Sequence, residues 1–226
     1  MVKLKFLGHA CFQLSHSGKS VLFDPFLKGN PKAAAGPDRV PADLILVSHG
    51  HSDHLGDAVE ISKRTGAPVF TTFELGVKLQ MQGANVVAGN HGGSHDFGFA
   101  QAKITWAVHS SSFGEHLEEA GNPCGFVLKA GGIAVYHAGD TDVFGDMSLI
   151  GEEGVDVALL PIGGFFTMDA RGAVRAVKML KPKKVVPMHY NTFPPITADP
   201  QLFKKMVEEE TSAKCVLMEP GQETEL

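Results

Sequence analysis

The sequence predicts an α/β protein in which two β-sheets pack face to face between outer layers of helices, a four-layer αββα sandwich. Residues 2–23 alternate apolar and polar side chains in short runs, as the strands of an antiparallel meander do. Apolar strands then alternate with helical patterns, and the same order of strands and helices returns in the second half. No clear repeat or linker divides the chain, so we expect one domain, residues 1–226.

The first half of the chain predicts the meander, a long loop and then alternating strands and helices. Strands are expected at residues 2–7, 11–14, 20–23, 44–48, 68–71 and 85–88, and helices at residues 57–65 and 73–82. Residues 28–42 contain so many glycines and prolines that we expect a loop or lid there. Gly66 and Pro68 end the first helix, and Gly83 ends the second.

The second half repeats this order. Strands are expected at residues 102–108, 124–129, 133–137, 155–160, 184–187 and 215–218, and helices at residues 142–151, 169–180 and 200–210. The sequence Ala130-Gly131-Gly132 predicts a hairpin between two of these strands. Residues 89–98 and 110–121 are rich in turn-forming and polar residues, and we expect loops there.

The composition limits the classes of function. A net charge of −5 argues against binding long nucleic acids, since these attract strongly basic surfaces. No apolar run approaches the ~18–20 residues that span a bilayer, and we see no signal peptide. The three cysteines are widely spaced and fit a reducing compartment. We therefore expect a cytoplasmic protein with a small-molecule substrate and no membrane partner; a homo-oligomer is compatible with the sequence.

The stretch from His49 to His54 contains three histidines and one aspartate in six residues. It follows a buried strand and precedes a helix, a loop position where side chains converge above a rigid scaffold. His49 and His51 are two residues apart and would point the same way in an extended segment. Asp53 and His54 can face a second cation beside the first. Imidazole and carboxylate are preferred zinc ligands, so the stretch predicts a metal site.

Three further residues of ligand type stand at the ends of apolar strands. These are His109, Asp140 and His189. A catalytic zinc site needs ligands from separate segments of the chain. The recurrence of the same local context three times predicts that these residues complete the site.

Together these residues resemble the metallo-β-lactamase superfamily of hydrolases. The motif His-x-His-x-Asp-His runs from His49 to His54, and the later positions match His109, Gly139-Asp140-Thr141 and His189. More narrowly, the chain resembles small metal-dependent hydrolases of this superfamily that are related to ascorbate-6-phosphate lactonases. The matching segments are Leu7-Gly8-His9-Ala10, Phe23-Asp24-Pro25, Tyr136-His137-Ala138-Gly139-Asp140-Thr141 and Met188-His189-Tyr190-Asn191.

The resemblance implies the αββα metallo-β-lactamase fold, a dinuclear site and hydrolysis. It assigns His49, His51 and His109 to one cation, Asp53, His54 and His189 to the other, and Asp140 to a bridge between them. Two cations ~3.5–4 Å apart lower the pKa of a shared hydroxide toward ~7, and Asp53 would orient that hydroxide. Zinc is the expected metal, with manganese, iron, nickel and cobalt as alternatives.

Two positions narrow the class within the superfamily. Asp140 stands where dinuclear antibiotic-degrading enzymes commonly have cysteine, which argues against a true β-lactamase. His51 stands where flavodiiron oxygen reductases have glutamate, which favours hydrolysis over redox chemistry. We therefore expect a hydrolase of a small ester, lactone or phosphorylated substrate. The alternatives are a phosphodiesterase or nuclease of the same fold and a non-catalytic metal-binding module.

Five other residues have a functional and a structural interpretation. His9 could donate a proton to the leaving group, or be a hydrogen-bonded loop histidine. His137 could hold a metal ligand by a hydrogen bond, or simply pack. Asp24 could support the ligand loop. Asn191 could bind substrate or hold the turn that follows it, and Thr167 could line the pocket or cap the next helix.

Overall fold

Two seven-stranded β-sheets packed face to face form the centre of the structure. The structure is a computed structural model and describes residues 1–226. Helices pack on the outer face of each sheet and bury apolar side chains against it. The predicted αββα sandwich is therefore confirmed.

The first half of the chain builds most of the first sheet. Its elements are β1 (Val2–Gly8), β2 (Cys11–His16), β3 (Lys19–Phe23), β4 (Leu44–Leu46), α1 (Ser52–Leu55), α2 (Ala58–Thr65), β5 (Val69–Thr72), α3 (Phe73–Met81) and β6 (Val86–Gly89). Strands β1 to β3 are antiparallel, as predicted, and β3 to β6 are parallel. Parallel strands need crossover connections, which α2 and α3 provide after β4 and β5.

The second half builds the second sheet. Its elements are β7 (Ser94–Asp96), β8 (Gln101–Trp106), β9 (Ser112–Phe113), β10 (Glu118–Glu119), β11 (Cys124–Ala130), β12 (Ile133–His137), α4 (Met147–Gly151), β13 (Val157–Pro161), α5 (Ala170–Leu180), β14 (Lys184–Met188), α6 (Pro200–Glu210), β15 (Lys214–Cys215) and β16 (Glu223–Glu225). The strand order is β15-β14-β13-β12-β11-β8-β7, while β16 pairs with β1 in the first sheet.

The main core contains 44 buried residues and extends from the space between the two sheets to the helices α5 and α6 on the second sheet. Alternate residues of β1 show how it forms, because Leu4 and Phe6 point into this core while Lys3 is exposed. In β4, Leu44 and Leu46 face the same core, while Ile45 packs on the opposite face among residues of α2 and α3. A strand buried on both faces is apolar throughout, which explains the continuous run seen in the sequence.

Several predicted elements are shorter than the pattern indicates. The strands expected at residues 44–48 and 102–108 end at Leu46 and Trp106. The helix expected at residues 142–151 forms only at Met147–Gly151, and the segment before it is tied to the strand end at Val108, whose carbonyl accepts from the backbone N–H of Asp142. The strand expected at residues 215–218 ends at Cys215. Its pairing with β14 would next require an N–H from Pro187, which proline lacks.

Four short features were not predicted from the sequence: α1, β7, the β9–β10 hairpin and the terminal strand β16. The hairpin occupies part of the region expected to be a polar loop, residues 110–121. Each of its strands contributes two residues to the pairing. None of the helices has the length and apolar content needed to span a bilayer.

Candidate metal centre

The candidate metal centre lies where strand ends of the two sheets meet. Strands β12, β13 and β14 are parallel, so the residues that follow them reach the same edge of their sheet. Three groups of side chains there have donor atoms within 4.8 Å of one another: His49, His51 and His109; His9, Asp53, His54 and His189; and His49, His54 and Asp140. The structure thus brings together every residue predicted to bind metal and adds His9 to them.

The ligand loop is held by two close backbone approaches. A Cβ atom at Gly50 would lie 2.4 Å from the carbonyl oxygen of Ser112, so the loop can pass the β9 segment only with glycine at this position. Gly56 has φ +44° and ends α1 against the backbone of Pro25 and Phe26. These contacts fix both ends of the short helix that carries Asp53 and His54.

Asp24 holds the histidine stretch in place through hydrogen bonds. It is fully buried, and its carboxylate accepts hydrogen bonds from the backbone N–H of Ser48, from the hydroxyl of Ser48 and from Nδ1 of His54, each at 2.7 Å. Burial alone would raise the pKa of Asp24, but the neighbouring His54 outweighs it and the pKa falls to about 2. The predicted supporting role of Asp24 therefore has a defined geometry.

This network sets which nitrogen of each ring is free. Since the Ser48 hydroxyl donates to Asp24, it can accept from Nδ1–H of His49, 2.9 Å away. Nδ1–H of His54 donates directly to Asp24. In both rings Nε2 faces the cluster and presents its lone pair there once it carries no proton, the arrangement that metal-binding histidines require.

Asp140 lies at the centre of the cluster. One carboxylate oxygen is 3.1 Å from Nε2 of His54, and the other is 3.2 Å from Nε2 of His189 and 3.6 Å from Nε2 of His109. Burial opposes its charge, but His189 and His54 hold its pKa well below the usual range. An ionised carboxylate among ring nitrogens on both sides is suited to bridge two cations.

The buried atoms of the cluster also show that a divalent cation fits. His54 Nε2, Asp140 Oδ1 and both ring nitrogens of His189 are buried and form no hydrogen bond of acceptable geometry. Buried polar atoms without partners are costly, and a cation among them would satisfy both nitrogen and oxygen donors. The donor set, imidazole and carboxylate, is the one that zinc and related metals use.

The histidines fall into two electrostatic classes. Burial lowers the pKa values of His49, His51 and His109, which keeps these rings neutral and ready to bind a cation. Burial also opposes the charged forms of His54 and His189, but adjacent carboxylates outweigh it. The pKa of His189 rises to about 9, so a cation at this ring would replace a proton at neutral pH.

His9 lies in the turn between β1 and β2, in a left-handed conformation with φ 61°. Its side chain is completely buried, with Nε2 3.2 Å from Asp53 Oδ2 and Nδ1 2.9 Å from the hydroxyl of Thr192. Burial lowers its pKa to about 4, although Asp53 acts in the opposite direction. Both ring nitrogens are thus engaged inside the cluster, and the predicted role as proton donor stays a prediction.

The remaining predicted residues surround the cluster. Nε2 of His137 contacts the carbonyl of Ala10 at 2.9 Å and its Nδ1 accepts from the N–H of Gly139, which ties the His9 turn to the segment that carries Asp140. Asn191 bonds through its side chain to both the N–H and the carbonyl of Ala198, so it holds the following turn. The structure supports these positioning contacts and leaves a substrate contact by Asn191 as a prediction.

The prediction that Thr167 caps the next helix is wrong. The cap of α5 is Asp169, whose carboxylate accepts from the N–H of Gly172 at 2.7 Å. The hydroxyl of Thr167 instead faces the carbonyl of Met168 at 3.4 Å. Both residues are good capping types, and only the position at which the helix begins decides between them. A pocket role for Thr167 stays a prediction.

Two residues that complete the network were missed in the sequence. Ser48 links Asp24 to His49, and its position directly before the histidine stretch was an available signal. Thr192 binds His9, from which it is separated by 183 positions in the chain. No local pattern marks Thr192, because the contact depends on how β14 and the β1–β2 turn pack together.

An open cleft of about 540 Å³ lies beside the cluster. His51 and Asp53 form part of its wall, so the donor atoms are reached from solvent on this side. The opposite wall includes Phe113, Glu115 and Leu117 from the β9–β10 hairpin. Lysine and arginine are both absent from the residues that line the cleft.

A family model described as the beta-lactamase superfamily domain matches residues 3–189 of the chain. The chain belongs to the beta-lactamase superfamily. The match spans every segment that contributes a donor atom to the cluster, from His9 to His189. The resemblance inferred from the sequence is therefore confirmed.

Individual members of the superfamily agree with this. A UPF0173 metal-dependent hydrolase from Thermococcus kodakarensis is 51% identical over 230 residues, and the alignment covers 100% of both chains. A UPF0173 metal-dependent hydrolase from Desulforamulus reducens is 49% identical over 227 residues, with 98% of each chain covered. The solved structure of Igni18, a metallo hydrolase from the archaeon Ignicoccus hospitalis, is 42% identical, with a TM-score of 0.91 and coverage of 99% of this chain and 97% of that one. The prediction of a metal-dependent hydrolase is confirmed by these relatives.

Proposed function

We propose that this metal-dependent hydrolase holds two divalent cations and cleaves a small, uncharged or cationic ester or lactone. The observation that carries the proposal is the position of Asp53, which belongs to the donor cluster and also lines the open cleft. A substrate in the cleft can therefore meet the cluster directly. An open approach of this kind is typical of catalytic rather than purely structural metal sites.

Two cations are supported by the way the donors divide. His49, His51 and His109 form one group, and Asp53, His54 and His189 belong to another. Asp140 faces histidines of both groups through its two oxygens, which suits a bridge. When bound, the cations supply Lewis acidity and lower the pKa of water. Zinc is the first candidate, and manganese, iron, nickel and cobalt suit the same donors.

The chain's own residues would prepare the reaction in three ways. Asp24 and Ser48 orient the rings of His54 and His49, so their lone pairs are fixed before substrate binds. Asp53, with 30% of its side chain exposed, is placed to accept a proton from the attacking water at the cleft. The apolar side chains of Leu55, Phe113 and Leu117 can bury the substrate's apolar part.

The charge of the cleft supports a carbonyl substrate over a phosphorylated one. Outside the cation site, the side chains that usually bind phosphate groups, arginine and lysine, are absent from the residues that line the cleft. It has instead the carboxylate of Glu115 on its wall. The same feature argues against the phosphodiesterase or nuclease alternative, since nucleic acids carry one negative charge per nucleotide.

The test combines metal analysis with a substrate panel. Purified protein would be depleted of metal, reloaded with each candidate cation, and assayed with matched neutral, cationic and phosphorylated esters and lactones. We expect two cations per chain and turnover of the neutral or cationic compounds, with loss of turnover in Asp53→Ala. A fully loaded protein that cleaves only phosphodiesters, or nothing, would contradict the proposal.

A further variant tests whether the cleft selects substrates by charge. Glu115→Gln removes the one carboxylate of the cleft's hairpin wall and keeps the size of the side chain. We expect it to raise KM for cationic substrates and to leave the number of bound cations unchanged. An unchanged ratio between cationic and neutral substrates would exclude a role of Glu115 in selecting substrate charge.

A further inference from the structure

We propose that Nε2 of His9 is a direct ligand of the cation held by Asp53, His54 and His189. The inference rests on the proposed metal centre and changes the composition of one of its two sites. It adds a fifth donor to Asp53, His54, His189 and the bridging Asp140, from a segment far in sequence from the histidine stretch. It also differs from the proton-donor role expected for His9 from the sequence.

The positions of the donor atoms support this assignment. Ligand atoms of His9, Asp53, His54 and His189 all lie within 4.8 Å of one another. Nε2 of His9 is 3.2 Å from Asp53 Oδ2, and the His9 ring centroid is 4.1 Å from that of His189. His9 is therefore as much a member of this donor group as the three residues expected there.

The hydrogen bond on the other side of the ring allows the tautomer that has its lone pair at Nε2. The hydroxyl of Thr192 faces the carbonyl of Tyr190 at 3.5 Å and can donate its hydrogen there. It then accepts from Nδ1–H of His9, 2.9 Å away. A neutral imidazole with its proton on Nδ1 presents a lone pair at Nε2, as a metal ligand must.

That tautomer leaves two lone pairs facing each other. Nε2 of His9 and the carboxylate of Asp53 are then both acceptors at 3.2 Å. Such a contact is unfavourable unless a proton or a cation lies between the two atoms. A cation that binds Asp53 would remove the repulsion and satisfy both groups.

The backbone around His9 holds the ring rigidly. His9 adopts φ 61°, a conformation that histidine enters at a cost in free energy. Its carbonyl accepts from the N–H of His189 at 2.9 Å, so the turn is fixed to a segment that bears another donor. A rigid, buried ring suits metal binding, in which a donor atom is held in place before the cation arrives.

The same burial is unfavourable for proton transfer to a leaving group. The side chain of His9 has no exposed surface and does not line the cleft of about 540 Å³ beside His51 and Asp53; the residue borders only a smaller pocket of about 180 Å³ on the side of Asn191 and Thr192. A general acid must come within hydrogen-bond distance of the substrate atom that it protonates. His9 faces the interior of the cluster instead.

The decisive measurement is cobalt binding to the metal-free protein, followed by visible absorption and isothermal titration calorimetry. The intensity of the cobalt bands reports the number of ligands. We expect His9→Ala to lower the affinity for one of the two cobalt ions by at least ~100-fold and to change the absorption bands of that ion. The expected loss is large because even the loss of an outer hydrogen-bond partner lowers metal affinity by ~10–100-fold. Thr192→Val keeps the ring and removes its partner, so we expect a smaller loss in that range.

Controls separate ligation from folding and from catalysis. His91→Ala alters a half-buried histidine outside the cluster and should leave both cobalt equivalents unchanged. Thermal unfolding of the metal-free variants checks that each one folds, and His9→Asn is a second variant if His9→Ala does not. Two cobalt equivalents with wild-type affinity and bands in His9→Ala, or in His9→Asn, would overturn the proposal.

Failure of the ligand assignment of His9 can be distinguished from failure of the proposed function. If the wild-type protein binds two cations but cleaves no ester or lactone, the proposed function fails while the ligand assignment of His9 can still be correct. If the wild-type protein is active and His9→Ala loses turnover with unchanged cobalt binding, His9 acts on the substrate and is not a ligand.

Discussion

His54 and Asp24 are joined by a hydrogen bond of 2.7 Å from Nδ1 of the histidine to Oδ2 of the aspartate, across 30 positions of the chain. Neither atom is exposed to solvent. Because the same oxygen accepts from the Ser48 hydroxyl, which in turn faces His49, one buried carboxylate orients two rings of the donor cluster. The metal centre therefore depends on a residue that would not itself touch a cation.

We expect Asp24→Asn to weaken metal binding by ~10–100-fold, the usual effect of losing a partner of a ligating histidine. The amide can keep one acceptor, but its NH₂ group would face the donors of Ser48 or His54. Asparagine tolerates the φ of 39° at this position, so the backbone is not an additional source of strain. The measurement is the zinc affinity of the metal-free variant by competition with a chromogenic chelator.

Asp57→Asn is the matched control for that experiment. Asp57 is also buried, and its carboxylate accepts from the N–H groups of Leu27 and Lys28, away from the histidine rings. We expect this variant to lose stability but to keep its zinc affinity. Equal losses of affinity in the two variants would show that Asp24 acts through general stability only.

Removal of metal should lower the thermal stability of the protein. Ligands that bind only the folded state stabilise it by ~4 kcal/mol when present at about 1,000 times their dissociation constant. We expect the Tm to fall on treatment with a chelator and to recover when zinc, manganese or cobalt is restored in excess. Metal-free protein treated with the same chelator is the control. A Tm that responds to neither step would argue against a structural contribution of the cations.

Gly50→Ala should destabilise the folded protein by ~1–3 kcal/mol, the usual cost of forcing atoms into a packed position. The new methyl group would lie 2.4 Å from the carbonyl oxygen of Ser112, and backbone must move to admit it. Gly145→Ala is the matched control, because its methyl group would meet no atom within 4 Å. Urea denaturation of the two metal-loaded variants tests the difference, and equal midpoints would contradict it.

The ion pair between Asp156 and Lys183 should make a pH-dependent contribution to stability. Burial opposes the charge of Asp156, but Lys183 at 2.7 Å and the N–H of Ala134 at 2.8 Å lower its pKa below the usual value. An acid with a lowered pKa in the folded state stabilises that state above its unfolded pKa. This contribution is lost as the pH falls through the folded pKa.

We therefore expect Asp156→Asn to be about 0.5–1 kcal/mol less stable than wild type at pH 7, a small value because Lys183 is largely exposed. The difference should shrink as the pH is lowered from 5 to 3, roughly the range in which such carboxylates titrate. Glu152→Gln, at an exposed position without an ion pair or a side-chain hydrogen bond, should show no comparable change. Urea denaturation at several pH values provides the comparison, and a constant difference would contradict the assignment.

Much of the fold follows from local patterns along the chain. Apolar and polar residues alternate in β1, and Ala173, Val174 and Val177 have helical spacing. Each pattern depends on neighbours within a few positions, and the strand and the helix that they predict are both confirmed. The strand β16 has no such signal. It is three residues long and exists because Glu223 and its neighbours pair with β1, at the opposite end of the chain.

For the candidate site, the sequence by itself determined which residues of ligand type stand at strand ends, from the stretch His49–His54 to His189. It did so because a motif and a strand end are both local features. Only the tertiary structure decided that Asp24 orients His54 through Nδ1 and that His9 points into the cluster. Those contacts arise where segments from two sheets pack together, and no spacing along the chain encodes that packing.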